Sequence, residues 1–159
     1  LLPRCWVSCR SDAPRSGYEC LYDATPGQGP AAGILAALLA AQTEGFAAVL
    51  ALSCDMPLMD APTLHRLLAT RAQAPAGTLA TLYVDASNGR LEALAAVYET
   101  ASLPFFEQWF AMPGGRLNCV VPQQYQCRLP YSPDESHPFV NLNRPDDVKR
   151  ALAILGVSL

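Results

Sequence analysis

An aspartate that directly follows an apolar run is the first residue of this sequence whose position suggests chemistry. Residues 46–52 are continuously apolar, and Ser-Cys-Asp-Met-Pro follows at 53–57. Such a run is typical of a central strand that is covered on both faces in a parallel sheet, and Pro57 cannot extend it. Open α/β sheets bind ligands beyond the carboxyl ends of their strands, so Asp55 is a candidate metal or ribose ligand. An aspartate at this position can equally cap the next turn.

A glycine-rich turn precedes the first long helical pattern. The segment Asp-Ala-Thr-Pro-Gly-Gln-Gly-Pro-Ala-Ala-Gly runs from Asp23 to Gly33. Gly27 and Gly29 allow the backbone to approach a ligand closely, and N–H groups at the start of a helix attract anions. Pro30 suits the first helical position, where its missing N–H would have no partner in any case. A turn that only starts a helix explains the same residues, because short glycine motifs often occur without a ligand.

Two asparagines near the C-terminus form a third group of candidate site residues. Residues 139–147 read Phe-Val-Asn-Leu-Asn-Arg-Pro-Asp-Asp, with Asn141 and Asn143 just before Pro145. Asparagine side chains can orient water or phosphate oxygens without adding repulsive negative charge. The alternative interpretation is that the asparagines cap the helix that follows Pro145.

Strand patterns alternate with helical patterns along the chain and must position these residues. Strands are predicted at residues 5–10, 18–22, 46–52, 78–85, 91–99 and 126–129, and helices over 31–44, from Asp60 onward, over 103–112 and over about 148–155. Asp60 is the expected N-cap of its helix, and Gly156 is placed to end the last one. Residues 117–122 fit either a helix or a strand. The alternation predicts a single three-layer α/β domain over residues 1–159.

One part of the sheet is expected to be antiparallel. Asn88-Gly89 lies between two apolar runs, and this dipeptide is a strong indicator of a tight hairpin turn. The hairpin over residues 77–99 therefore predicts one antiparallel pair in an otherwise mostly parallel sheet.

The composition excludes several classes of function. Hydrophobic residues make up 51% of the chain and charged residues 16%, which argues against disorder. The net charge is −3, and the eleven basic residues are scattered, which argues against a nucleic-acid-binding surface. No apolar run reaches the roughly 18 residues of a membrane span. An acidic protein that binds a nucleotide usually needs a divalent cation or backbone N–H groups.

The cysteines indicate a reducing compartment rather than a disulfide scaffold. The six cysteines contain no CxxC pair, and Cys5 and Cys9 have no histidine near them in the sequence. We therefore expect free thiols in the cytoplasm, most of them acting as small buried hydrophobic residues.

Three segments together, 23–33, 52–59 and 139–147, resemble the molybdenum cofactor guanylyltransferase family of MobA-like nucleotidyltransferases. Their order and spacing match that family from about Cys5 to the C-terminus. The run Gly-Arg-Leu-Glu-Ala-Leu-Ala-Ala-Val-Tyr at 89–98 also resembles the family's extended segment before its late helix. The resemblance implies a Rossmann-like nucleotidyltransferase fold. It also implies transfer of GMP from GTP to molybdopterin, with Mg²⁺ as cofactor and pyrophosphate as product.

The resemblance also assigns roles to the candidate residues. Asp55 matches the family's Mg²⁺-binding aspartate, and Asn141 and Asn143 match an Asn-x-Asn pair near the metal and the acceptor. The implied catalytic residues are thus these three. The implied nucleotide- or substrate-binding residues are Asp23, which matches an acidic residue near the guanosine, and Gly27, Gly29, Pro30 and Gly33 of the loop that lines the cleft. Molybdoenzymes or cofactor-insertion proteins are further implied partners.

The sequence departs from the family pattern at three places. The glycine-rich loop and lysine that open family members have no counterpart here. Leu1–Arg10 resembles the strand that follows that loop, so we expect an N-terminally incomplete domain. Arg144 replaces a small hydroxyl residue that would cap the next helix, and Ala31 stands where the family typically has leucine. A nucleotidyltransferase that uses CTP or another phosphorylated acceptor, and a non-catalytic relative that binds a pterin or a partner, are the alternative interpretations.

Overall fold

The computed structural model describes residues 4–22, 29–111 and 116–156, without the side chains of Pro145 and Arg150. Its strands and helices, in chain order, are β1 (Val7–Cys9), β2 (Cys20–Tyr22), α1 (Pro30–Thr43), β3 (Ala48–Leu52), α2 (Ala61–Ala72), β4 (Ala80–Asp85), β5 (Leu91–Glu99), α3 (Leu103–Ala111), β6 (Gln126–Tyr131) and α4 (Pro145–Ile154). Short 3-10 turns occupy 100–102, 117–119, 123–125, 133–135 and 137–139. The predicted α/β class is confirmed, and the segment at 117–122 is neither an α-helix nor a strand.

The main sheet has four strands in the order β3-β5-β4-β6. Strands β3, β4 and β6 run in one direction, and β5 runs antiparallel to both β3 and β4. The predicted hairpin of β4 and β5 is present. Because β5 lies between two strands of the opposite direction, it makes two antiparallel pairings where the sequence predicted one. Strands β1 and β2 form a separate parallel pair.

Strand β3 is covered on both faces but does not lie in the centre of the described sheet. Val49 and Ala51 pack against one core, and Ala48 and Leu50 pack against the other, as the apolar run predicted. Among the described residues, however, only β5 pairs with β3, and Leu52 is 44% exposed. The apolar pattern indicates that both faces of β3 are covered, but it does not indicate how many strands pair with β3 through backbone hydrogen bonds.

Each face of the sheet has its own hydrophobic core, which makes the predicted three layers. The first core joins helices α1 and α3 to the sheet through Ile34, Leu38, Leu82 and Phe106. The second core joins α2 and the 137–139 turn to the opposite face, through Leu67, Tyr83, Val97, Tyr131 and Phe139. We call them the α1/α3 core and the α2 core.

Helix ends follow local signals that the sequence already contains. The Oδ1 of Asp60 accepts a 2.8 Å hydrogen bond from the N–H of Thr63, which confirms Asp60 as the N-cap of α2. At the end of α1, Gly45 has φ 78°, its N–H donates to Gln42, and the N–H of Phe46 donates to Ala41. These two bonds form a Schellman motif, which requires the left-handed backbone that glycine adopts at low cost.

The cysteines are free thiols, but they do not occupy the core. Cys5, Cys54 and Cys119 are exposed, and Cys9, Cys20 and Cys127 are partly buried. The expectation of small buried hydrophobic cysteines was wrong, because the core clusters consist of larger aliphatic and aromatic side chains and alanines. None of the helices in the described ranges is long and apolar enough to cross a membrane.

Candidate active site

Asp55 lies just beyond the carboxyl end of β3. The N–H of Ser53 donates a 2.9 Å hydrogen bond to the carbonyl oxygen of Leu94, and the chain then turns at 54–55. The carbonyl oxygen of Asp55 accepts a 2.8 Å hydrogen bond from the N–H of Leu142. This bond joins the β3 turn to the segment that carries both asparagines, so residues far apart in sequence meet at one edge of the sheet.

Two buried oxygen atoms at this junction have no hydrogen-bond partner. They are Oδ1 of Asp55 and Oδ1 of Asn141, the residue just before Leu142. Leaving such an atom buried and unpaired costs about 1–3 kcal/mol. Both atoms are acceptors and cannot satisfy each other, and a cation or a donor group beside them would satisfy both. Carboxylate and amide oxygens are ligands that hard divalent cations prefer, and the donor set therefore fits Mg²⁺.

The described residues do not supply a complete metal cage. No group of three or more His, Cys, Asp or Glu residues within these ranges is placed to hold a metal ion. Mg²⁺ commonly keeps several waters and is held by one or two carboxylates together with substrate phosphates. Asp55 and Asn141 fit that kind of site, in which the substrate supplies the remaining ligands.

Asn143 is exposed and takes part in the capping of α4 through its backbone. The Oδ2 of Asp147 accepts hydrogen bonds from the N–H of Asn143, at 3.0 Å, and from the N–H of Arg144, at 2.8 Å. The cap that Arg144 cannot provide is therefore replaced by Asp147 reaching back from the first turn. Sequence reasoning missed this role, although an acidic residue three positions after the N-cap is a recognisable capping signal.

The start of α1 lies at the same edge of the sheet as Asp55. Helix α1 ends shortly before β3 begins and packs against it, so its first turn lies towards the end of β3. Gly29 is the N-cap, Pro30 occupies the first turn as predicted, and Gly33 is buried there. Gly29 has φ 71° and ψ −164°, a region that is essentially restricted to glycine. Asp23 and Gly27 lie outside the described residues.

A hydrogen-bonded group of Arg90, Glu92 and Tyr131 at this edge was not identified from the sequence. The Oε1 of Glu92 accepts hydrogen bonds from the Tyr131 hydroxyl, at 2.6 Å, and from Nη2 of Arg90, at 2.7 Å. Glu92 is only 5% exposed. Burial, with a further contribution from Glu92, raises the pKa of Tyr131 to about 12, so its hydroxyl keeps its proton. The available signal was a charged Arg-x-Glu pair at the start of an apolar strand.

These features define a class of site. A mixed α/β sheet carries an aspartate just beyond one strand, an asparagine held beside it, and a glycine-initiated helix at the same edge. Ligands of open α/β sheets bind in this region, and nucleotides and their phosphates are common among them. The arrangement is that of an α/β protein whose sheet edge is placed to bind a ligand.

Comparison with known proteins agrees with this class. Residues 1–125 match the MobA-like NTP transferase domain. The chain is 32% identical over 127 residues to the molybdenum cofactor guanylyltransferase of Acidiphilium cryptum, and 32% identical over 136 residues to the molybdenum cofactor biosynthesis bifunctional protein of Synechocystis. The chain belongs to the MobA-like NTP transferase family, and the family resemblance seen in the sequence is confirmed.

A solved structure supports the same fold. The crystal structure of molybdopterin-guanine dinucleotide biosynthesis protein A from Archaeoglobus fulgidus matches with a TM-score of 0.65 and 26% identity, over 87% of this chain and 69% of that one. The two sequence matches include 80% and 84% of this chain but only 59% and 36% of the Acidiphilium and Synechocystis proteins. The chain therefore spans between about a third and three fifths of the length of these two relatives.

Proposed function

We propose that this protein transfers GMP from GTP to molybdopterin and releases pyrophosphate, with Mg²⁺ held at Asp55 and Asn141. Family membership and the names of the relatives support the reaction class. The observation that carries the site assignment is the pair of buried, unpartnered oxygens of Asp55 and Asn141, on segments joined by the Leu142–Asp55 hydrogen bond.

The proposed reaction needs positioning and charge neutralisation more than a covalent intermediate. A terminal phosphate of the acceptor attacks the α-phosphorus of GTP in line with the departing pyrophosphate. When bound, Mg²⁺ would neutralise phosphate charge and help to orient the reacting oxygens. Asp55 and Asn141 would hold it through their free oxygens, and the exposed Asn143 would contact the acceptor.

The nucleotide would lie along the first turn of α1. Gly29, Pro30 and Gly33 are at the start of this helix, where N–H groups favour phosphate oxygens. Asp23 and Gly27 complete the proposed nucleotide contacts, with Asp23 near the guanosine. A cytoplasmic location is part of the proposal, and the six free thiols support it. Molybdoenzymes or cofactor-insertion proteins are proposed recipients of the product.

Pyrophosphate release tests the proposal. The assay combines the protein with Mg²⁺, molybdopterin and either GTP or CTP, and omits each component in turn. We expect release with GTP that requires both molybdopterin and Mg²⁺ and is lost in Asp55→Asn. Asp134→Asn, which neutralises an exposed carboxylate on the 133–135 turn, is the matched control. Release that occurs only with CTP, or binding of molybdopterin without any release, would replace the proposed reaction with one of the alternatives.

A further inference from the structure

The buried carboxylate of Glu92 has no role in the proposed metal site, although it lies at the same edge of the sheet. Its side chain is 6% exposed, whereas that of Arg90, with which it pairs, is 57% exposed. Burying one charged partner of an ion pair is weak evidence for a role in stability, because well-packed apolar residues often stabilise a core equally well. Stability alone therefore does not explain the Arg90–Glu92 pair, and a role in binding is considered.

The hydrogen-bond register places Glu92 and the turn that carries Asp55 at the same end of the β3–β5 pairing. The Ser53–Leu94 hydrogen bond is the last link between β3 and β5 in this direction. Asp55 follows Ser53 by two residues, and Glu92 precedes Leu94 by two. Because the strands are antiparallel, both acidic residues lie beyond the same end of that pairing.

Tyr131 links Glu92 to the asparagine segment. Its hydroxyl donates to Glu92, and its ring stacks on Phe139 with the centroids 4.2 Å apart. Phe139 precedes Asn141 by two residues and is itself 4% exposed. Arg90, Glu92, Tyr131 and Phe139 therefore form one connected group at the carboxyl edge, in which Phe139 lies two residues before Asn141 in the chain.

The guanidinium of Arg90 is held by Glu92 on a side chain that is more than half exposed. Its Nη2 donates to Glu92, and its contact with the Tyr131 hydroxyl, followed by the charge of Glu92, raises the pKa of Arg90. A guanidinium offers two parallel donors that match a phosphate, and anchoring one nitrogen reduces the entropy lost on binding.

The two faces of the sheet separate Arg90 from the start of α1. Helix α1 packs in the α1/α3 core, whereas Tyr131, whose hydroxyl donates to the same Glu92 oxygen as Arg90, belongs to the α2 core on the opposite face. Asp55 lies at the edge between them. A nucleotide along α1 and a second phosphorylated substrate beside Arg90 would thus approach Asp55 from opposite sides.

We propose that Arg90 binds the phosphate monoester of the acceptor substrate, and that Glu92 and Tyr131 position its guanidinium. This assignment rests on the guanylyl transfer proposed above, because that reaction requires an acceptor phosphate near the metal site. Arg90 is then a substrate contact that determines acceptor specificity, and Glu92 and Tyr131 are positioning residues.

The test compares binding of inorganic phosphate with binding of Mn²⁺ and GTP, each by calorimetric titration. For Arg90→Gln we expect phosphate affinity to fall at least about tenfold, with Mn²⁺·GTP affinity unchanged. Arg90→Lys keeps the positive charge opposite Glu92 but loses the two parallel guanidinium donors. Tyr131→Phe keeps the stacking on Phe139 but loses the hydroxyl. We expect phosphate affinity to fall about three- to tenfold in Arg90→Lys and about two- to fivefold in Tyr131→Phe. Arg128→Gln, an exposed arginine on β6, is the matched control.

The outcomes separate this proposal from the proposed reaction. Unchanged phosphate affinity in both Arg90→Lys and Arg90→Gln would overturn the role of Arg90. A loss of Mn²⁺·GTP affinity instead of phosphate affinity would assign Arg90 to the nucleotide and also overturn it. Equal affinity in Tyr131→Phe and the unaltered protein would remove the positioning role. If phosphate binding depends on Arg90 but no pyrophosphate is released with GTP and molybdopterin, the phosphate site stands and the guanylyl transfer fails.

Discussion

The main-chain N–H of Leu142 donates a 2.8 Å hydrogen bond to the carbonyl oxygen of Asp55. This single bond joins the turn after β3 to a segment that begins more than 80 residues later in the chain. Its consequence is that Asn141 is held beside the edge where Asp55 lies. The partnerless side-chain oxygens of Asp55 and Asn141 thus lie on two segments that this bond joins.

Replacing Asn141 by alanine should separate stability from metal binding. The change removes a buried acceptor that has no partner, so the melting temperature of the metal-free protein should stay the same or rise. Mn²⁺ affinity should fall several-fold, because one proposed ligand is lost. Calorimetric titration and thermal unfolding without metal measure the two quantities, with Asn143→Ala as the matched control for stability. A lower melting temperature together with unchanged Mn²⁺ affinity would make Asn141 a structural residue.

Two glycines should differ in their tolerance of asparagine. Neither site is crowded, since a Cβ at Gly29 or Gly45 would meet no atom within 4 Å. Gly45 is the left-handed residue of a Schellman motif, where asparagine is the next most favourable residue. Gly29 has φ 71° and ψ −164°, where any side chain is strained by about 1–3 kcal/mol. Urea unfolding should therefore show that Gly29→Asn lowers the free energy of unfolding clearly more than Gly45→Asn does. Equal decreases would contradict this explanation from backbone strain.

The N-cap of α2 should make stability depend on pH. The hydrogen bond from Thr63 lowers the pKa of Asp60 below its ordinary value. The contribution of this carboxylate is thus complete above the unfolded pKa, near 4, and is lost as the pH falls through the lower folded pKa. At pH 7, Asp60→Ala should cost about 1 kcal/mol of unfolding free energy. The difference in unfolding free energy between the unaltered protein and Asp60→Ala should become smaller from pH 7 to below pH 3. A difference that does not change with pH would exclude a stabilising role of the charged carboxylate.

The ion pair between α2 and β5 should contribute measurably to stability. Nε and Nη2 of Arg71 donate to the two carboxylate oxygens of Glu99 at 2.6 and 2.8 Å, and both side chains are at least two-thirds buried. Glu99→Gln should lower the free energy of unfolding by about 1–2 kcal/mol, which lies between the contributions of exposed and of fully buried ion pairs. Asp12→Asn breaks the exposed pair with Arg10 and should cost much less. A double-mutant cycle with Arg71→Ala measures the coupling, and a coupling near zero would contradict this prediction.

The parts of this protein that the sequence predicted are those set by neighbouring residues. Pro30 in the first turn of α1, Asp60 as the cap of α2 and the hairpin turn at Asn88-Gly89 all depend on local backbone preferences. The position of Asp55 after a strand was predicted in the same way, because a proline closely follows an apolar run. Local chemistry was therefore sufficient for most element boundaries.

The parts that could not be predicted depend on long-range pairing. The insertion of β5 between β3 and β4 places β3 at the edge of the described sheet, and an apolar pattern does not encode the order of strands. The hydrogen bond between Tyr131 and Glu92 joins residues 39 positions apart, so neither residue carries a local signal of it. The cap of α4 differs from the expected one because Asp147 supplies it from within the helix, so a hydroxyl at residue 144 is not needed.

Divalent-cation binding in the presence of GTP tests the central claim most directly. Electron paramagnetic resonance of Mn²⁺ reports the free ion during titration of the unaltered protein, of Asp55→Asn and of the control Asp134→Asn. Asp55→Asn removes one charge at nearly constant volume. Its Mn²⁺ affinity should fall at least about tenfold, which corresponds to roughly 1.4 kcal/mol, while the control keeps the affinity of the unaltered protein. Equal Mn²⁺ affinity in all three proteins would contradict a metal site at Asp55 and the nucleotide site built on it.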